Sequence, residues 1–186
     1  MRNLINLFED DNKIEAICNK YKLDFNKVTI NPDGTIDYDG NVDLESRKLT
    51  KIPLQFNHVS GSFSCSYNPE LKSLIGSPKI VDGYFYCDKN PELKSLIGGP
   101  KKVLGDYLCS DCKNLKTLKG IARFIGGDFN CAYTPNLSPS EMRWILLSNI
   151  NGEIETGNRI ADEIFKKYHG KKEMIGQAVK ELTAIS

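Results

Sequence analysis

Six cysteines are the first residues in this 186-residue chain that could do chemistry. Four of them, Cys65, Cys87, Cys109 and Cys131, fall 22 residues apart, and Cys109 with Cys112 forms a C-x-x-C pair. Clustered thiolates bind zinc or exchange disulfides, and each task needs its own placement. Zinc takes four ligands in a tetrahedron, with sulfurs about 2.3 Å from the metal. A constant interval instead puts side chains in a straight column, with stacked strands about 4.8 Å apart. A column cannot close around one ion. Redox C-x-x-C pairs sit at a helix start, where the thiolate is stabilised. This pair runs from a strand pattern into a turn. The cysteines therefore read as small buried apolar side chains, and neither a metal nor another cofactor is expected.

The remaining candidates are sparse. His58 and His169 are the two histidines, and neither belongs to a nucleophile–base arrangement. Both read as surface residues. Asp106 and Asp128 share a position in successive repeats. Two carboxylates on neighbouring strands could act as an acid–base pair, but an open face offers nothing to bury either one. A solvated acidic edge is expected. The glycines follow the repeat period and not a phosphate-binding pattern. No catalytic residue is expected, and the chain reads as non-enzymatic.

Charge narrows the partners. The 25 Lys and Arg nearly cancel the 24 Asp and Glu, leaving a formal net of +1. Nucleic-acid binders carry a basic excess to neutralise phosphates, so no nucleic-acid partner is expected. Apolar runs are a few residues long, too short to span a bilayer, and no membrane partner is expected. Met1-Arg2-Asn3-Leu4-Ile5-Asn6 lacks the uninterrupted apolar stretch of a secretory signal. A cytoplasmic protein with reduced thiols is the expectation.

These residues are positioned by a repeat. Gly61, Gly83, Gly105 and Gly127 keep the 22-residue step, as do Phe63, Phe85, Tyr107 and Phe129. Leu71, Leu93, Leu115 and Leu137 follow it too, with Leu74, Leu96 and Leu118. Val81, Val103 and Ile125 close the unit. A fainter copy over Gly40, Val42, Leu44, Leu49, Ile52 and Val59 has one residue fewer in the turn. In Gly83-Tyr84-Phe85-Tyr86-Cys87 the alternation predicts a strand with Phe85 and Cys87 inward and both tyrosines outward. Asn90 follows, suited to hydrogen-bonding backbone groups in the turn. One rung cannot bury its apolar face alone, but a stack can.

The string Phe85-x-Cys87-x-x-Asn90-x-x-Leu93-x-x-Leu96 resembles the leucine-rich repeat, with one additional residue between the Asn and the Leu. Its style is similar to the Cys- and Gly-rich 22-residue repeats of small proteins encoded by tailed bacteriophages. The segments Val28 to Asp37 and Gly40 to Leu44 share that likeness, which covers roughly residues 12–137. Cys112 and Thr134 depart from the asparagine position, and irregular turns are expected there. The resemblance implies an α/β solenoid with a leucine-rich-repeat-like ladder of parallel strands. It further implies recognition of a protein, here a bacterial host protein that is bound and inhibited or redirected in the host cytoplasm. Countering host defence is one such role.

Three segments follow. Residues 1–39 form an N-terminal cap, with Ile14, Ile17, Cys18 and Tyr21 at helical spacing and a hairpin turning at Asn31-Pro32-Asp33-Gly34. Residues 40–137 hold about four rungs plus a final strand. Residues 138–186 carry about three helices. Ser138-Pro139-Ser140-Glu141 marks the start of the first, with Ser138 at the N-cap, and Gly152 its end. Ile160, Ala161, Ile164, Phe165 and Tyr168 mark the second, and Met174, Ile175, Ala178, Val179 and Leu182 the third. Three apolar stripes exceed what a cap requires, so homo-oligomerisation through this tail is an alternative, structural role. On the strand face, Tyr84, Tyr86 and Leu108 form an aromatic and apolar cluster rimmed by Asp106, Asp128 and Asn130. Aromatic anchors in a polar rim characterise interface hot spots. These six residues are the expected partner-binding site.

Overall fold

The computed structural model describes residues 4–185; the side chains of residues 4–10 and of Lys172 lie outside that description. Leu4, Ile5, Leu7 and Phe8 of the N-terminal apolar pattern are among these. Helix α1 (Leu4–Tyr21) leads into a hairpin of β1 (Val28–Ile30) and β2 (Ile36–Tyr38), paired antiparallel. Nine short strands follow: β3 (Val42–Asp43), β4 (Phe56–Val59), β5 (Phe63–Ser64), β6 (Ile80–Val81), β7 (Phe85–Tyr86), β8 (Lys102–Val103), β9 (Tyr107–Leu108), β10 (Phe124–Ile125) and β11 (Phe129–Asn130). The tail holds α2 (Arg143–Leu146), β12 (Asn149–Ile150), β13 (Ile154–Glu155), α3 (Arg159–Tyr168) and α4 (Ile175–Ala184).

Parallel ladders stack as a β-solenoid of about five turns with helices at the ends. The hairpin opens a seven-stranded sheet ordered β1-β2-β4-β6-β8-β10-β12. The second sheet has six strands, ordered β13-β11-β9-β7-β5-β3. Phe63 pairs with Phe85, Phe85 with Tyr107 and Tyr107 with Phe129, all in parallel. Their rings stand 5.7, 4.9 and 5.7 Å apart, centroid to centroid, and all four are fully buried. The leucines and the rung cysteines fill the same interior.

Two features go beyond the repeat as read from sequence. Val81, Val103 and Ile125 do more than close a rung: each is the inward residue of a second strand, so every rung feeds two sheets. The ladders also run past residue 137, where the repeat loses its period. Strand β12 pairs with β10 and β13 with β11 after three additional residues in the turn. Gly152 accordingly ends no helix. It donates its N–H to the Gly127 carbonyl at 3.0 Å, as Gly127 does to Gly105.

The glycine column exists because neighbouring rungs approach closely. An added Cβ on Gly61, Gly127 or Gly152 would stand 2.0 to 2.3 Å from a side-chain oxygen of Asn41, Asp106 or Asp128 respectively. The asparagine column is buried. Asn68 donates to the carbonyls of Leu44, Cys65 and Ser66 and accepts the Leu49 N–H. Asn90 accepts the Asn68 N–H at 2.8 Å and donates to the Cys65 and Cys87 carbonyls. Where asparagine is replaced the turn keeps its form. The Cys112 thiol donates to the Cys87 carbonyl and the Thr134 hydroxyl to that of Cys131.

In the tail, Ser138 has the extended backbone of a cap, but its hydroxyl caps nothing and meets Ser140 instead. Glu141 turns away to receive the Thr117 hydroxyl and the Trp144 indole N–H. Helices α3 and α4 bury Ala161, Ile164, Phe165, Tyr168, Ala178 and Leu182. Their apolar stripes are thus largely consumed inside the chain, leaving Ile160 exposed on α3, with Leu147 and Met174 exposed outside the two helices.

Candidate functional site

The outward face of the six-stranded sheet is two columns wide. The first column reads Asn41, Ser62, Tyr84, Asp106, Asp128 and Glu153; the second reads Asp43, Ser64, Tyr86, Leu108, Asn130 and Glu155. Five of these twelve positions are carboxylates (Asp43, Asp106, Asp128, Glu153, Glu155), and none is a cation. Tyr84 is 45% exposed and stacks on half-buried Tyr86, ring centroids 5.8 Å apart and planes 22° apart. Leu108 lies directly across from Tyr86. Partial burial, with Asp106 adding to it, pushes the Tyr86 phenol above its usual range.

The rim residues expected at the site are here, and they have structural work as well. Asp106 accepts the Asp128 N–H at 2.9 Å, and Asp128 accepts the Glu153 N–H at 2.7 Å. Asn41 and Ser62 do the same for Ser62 and Tyr84. Each short polar side chain therefore satisfies a backbone donor in the next rung, where the chain bends between sheets. Asn130 accepts from the Ala132 N–H and donates to Glu155. Tyr84, Tyr86 and Leu108 make no such structural hydrogen bond through their side chains, and the free surface centres on them.

Sequence reading missed a ridge beside this face. At equivalent places in successive rungs Ser46, Tyr67, Lys89, Asp111 and Tyr133 adopt a left-handed backbone with φ between 54° and 57°, and in the first rung Lys48 does so too. Side chains in that region cost roughly 1–3 kcal/mol each, and glycine would relieve the strain. The chain uses non-glycine side chains at every one of these positions. Tyr133 is 79% exposed, and Tyr67 carries the Lys89 ammonium 4.2 Å from its ring centre. Glu153 and Glu155 were also missed, since they follow the lengthened turn. Gly152 was their only sequence signal.

The other chemical candidates find separate places. All six cysteines are buried and unpaired. Burial pushes the Cys65, Cys87, Cys109 and Cys131 thiols well up, and the Cys112 thiol up to about 12. Thiols so disfavoured as thiolates are poor nucleophiles and poor ligands. Among the described residues no three His, Cys, Asp or Glu side chains converge as a metal would require. His58 meets Asp82 at 2.8 Å on the seven-stranded sheet, two residues from Ser60. That trio would suggest a triad, but the Ser60 hydroxyl donates to Asp39 at 2.8 Å and accepts the Gly40 N–H. His169 is exposed and meets the Ile150 carbonyl at 2.8 Å, beside the terminal edge of the seven-stranded sheet.

Comparison of the chain with family models, with curated proteins and with solved structures finds no match in any of the three.

Proposed function

We propose that this chain is a non-enzymatic binding module that recognises another protein through the outward face of its six-stranded sheet. The observation that carries this reading is the stacked, solvent-facing Tyr84–Tyr86 pair. The core is filled by other aromatics, Phe63, Phe85, Tyr107 and Phe129 of the inward column among them, so these two rings are surplus to it. Rigid aromatic side chains beside an apolar neighbour and inside a polar rim are the composition of interface anchors. Area sets a condition. Six strands about 4.8 Å apart, each showing about 10 Å, present roughly 290 Å² in projection, whereas a specific interface takes about 800 Å² from each partner. The left-handed ridge with Tyr67 and Tyr133 supplies part of the remainder.

The leucine-rich-repeat-like string and the phage-like repeat style support a finer reading. On it, the chain is phage-encoded and engages a bacterial host protein in the host cytoplasm to inhibit or redirect it. Capture from bacterial lysate on immobilised wild-type chain, beside a Tyr84→Ala/Tyr86→Ala variant of equal thermal stability, tests both levels. One dominant host protein retained by the wild type and lost by the variant is expected. Equal recovery by both places the interface elsewhere, and recovery of nothing counts against a host partner.

A further inference from the structure

The overall charge balance hides a sorting of charge by face. Across three rungs, Lys72, Lys94 and Lys116 form one exposed column, Lys116 donating its N–H to the Lys94 carbonyl at 3.1 Å. Ile75, Ile97 and Lys119 form the next, in turns that stack so tightly that a Cβ on Gly98 would touch the Ile75 backbone. Lys79, Lys101 and Arg123 form the third, linked rung to rung by N–H to carbonyl bonds of 2.8 and 2.9 Å. Ile80, Lys102 and Phe124 pair in register as the fourth.

These twelve positions hold eight cations, four apolar residues and no carboxylate. All but half-buried Phe124 are exposed. Among the described residues the ion pairs are His58–Asp82, Arg143–Glu141 and Lys167–Glu181, so none of the eight cations is in one. Lys79 lies near enough to Asp33 to help lower its carboxyl pKa, after Thr35, which lowers it most.

We infer that this side of the solenoid docks on an anionic lipid surface. Four to eight clustered Lys or Arg is the composition that binds acidic headgroups. Seven of these eight cations are lysines, compact point charges without the planar fork that reads bases. Ile75 is 61% exposed and Ile97 48% exposed, stacked among the lysines. Aliphatic tips amid cations suit the boundary between headgroups and acyl chains. A single-stranded nucleic acid needs open aromatic platforms. The grid's one aromatic ring, Phe124, is half-buried with the Lys102 ammonium 5.8 Å from its centre. The contact is peripheral: no described helix is long and apolar enough to cross a membrane.

Co-sedimentation with vesicles tests the proposal, using equal parts phosphatidylserine and phosphatidylcholine against phosphatidylcholine alone. The full chain should bind the anionic vesicles, bind the neutral ones at least about tenfold less, and release as salt rises. Each cation near such a surface contributes about fivefold in affinity, so Lys94→Glu/Lys101→Glu should lose at least about tenfold. Ile75→Ser/Ile97→Ser should weaken binding to the same vesicles. Tyr84→Ala/Tyr86→Ala should leave it unchanged, which separates this surface from the protein-binding face. Equal binding to both vesicle types, no binding to either, or tighter binding to a single-stranded oligonucleotide at the same salt would overturn it. So would an unaltered affinity in a folded Lys94→Glu/Lys101→Glu variant.

Discussion

Tyr107 sits in the inward aromatic column with its hydroxyl buried and without a hydrogen-bond partner. The polar groups around it are the buried thiols of Cys87, Cys109 and Cys65, and a thiol is a weak partner. Gly99 provides the room: an added Cβ there would stand 3.1 Å from the Tyr107 oxygen. The equivalent positions before Phe85 and Phe129 carry Ser77 and Ile121, where no hydroxyl has to be accommodated. A desolvated, unpaired hydroxyl opposes folding, so Tyr107→Phe should raise the unfolding free energy by about 1 kcal/mol, read from urea denaturation. A loss of stability would show that the hydroxyl has a partner after all. At this scale the sequence was readable wherever one residue type recurs at one interval, because a column demands one size and polarity. Paired roles were harder to see. Asn41 with Gly61, Asp106 with Gly127, and Asp128 with Gly152 are acceptor and clearance in adjacent rungs. The periodicity of either column alone reveals neither job.

Elements were legible in proportion to their length and alternation. The strands from Phe63 to Phe129 announce themselves through a period of two, with inward Phe or Tyr and Cys. The second strand of these rungs offers a single inward residue, Val81, Val103 or Ile125, too few to show any alternation. The three-residue insertion before β12 likewise broke the interval that would have revealed the last rung. The lengthened connection also carries a 3-10 turn, Pro139–Met142, that fastens to the coil through Glu141. Its carboxyl is held below the usual range first by the Thr117 hydroxyl, with Arg143 and the Trp144 indole adding; partial burial opposes them. A carboxyl lowered by folding contributes stability fully present above its unfolded pKa, about 4.3, and lost as pH falls through the lower folded value. Trp144 is the single tryptophan. Acidification below that range should therefore shift its emission to the red. Glu141→Gln should show the shift at neutral pH and no further acid transition.

As a whole, the molecule is a one-dimensional stack in which each rung leans on its neighbours. Ending the chain after Leu137 removes β12 and β13, bares the edges of β10 and β11 and uncovers Ile125 and Phe129. That truncation should aggregate in size-exclusion chromatography, since bare strand edges template further pairing. Ending it after Gly157 keeps both sheets entire and removes only the helices that pack on the last rung, so it should melt cooperatively at a lower temperature. The overall charge concealed what stacking reveals, because composition sums over faces while the coil separates them. The stack has one more property. Residues 68–79 and 90–101 are nearly identical, and the rungs they belong to match in nearly every inward column. Unequal recombination between the two coding stretches would insert or delete 22 residues in frame, hence one strand in each sheet. Such an event would change the length of the coil, and the extent of both its faces, by one whole rung while keeping every inward column in register.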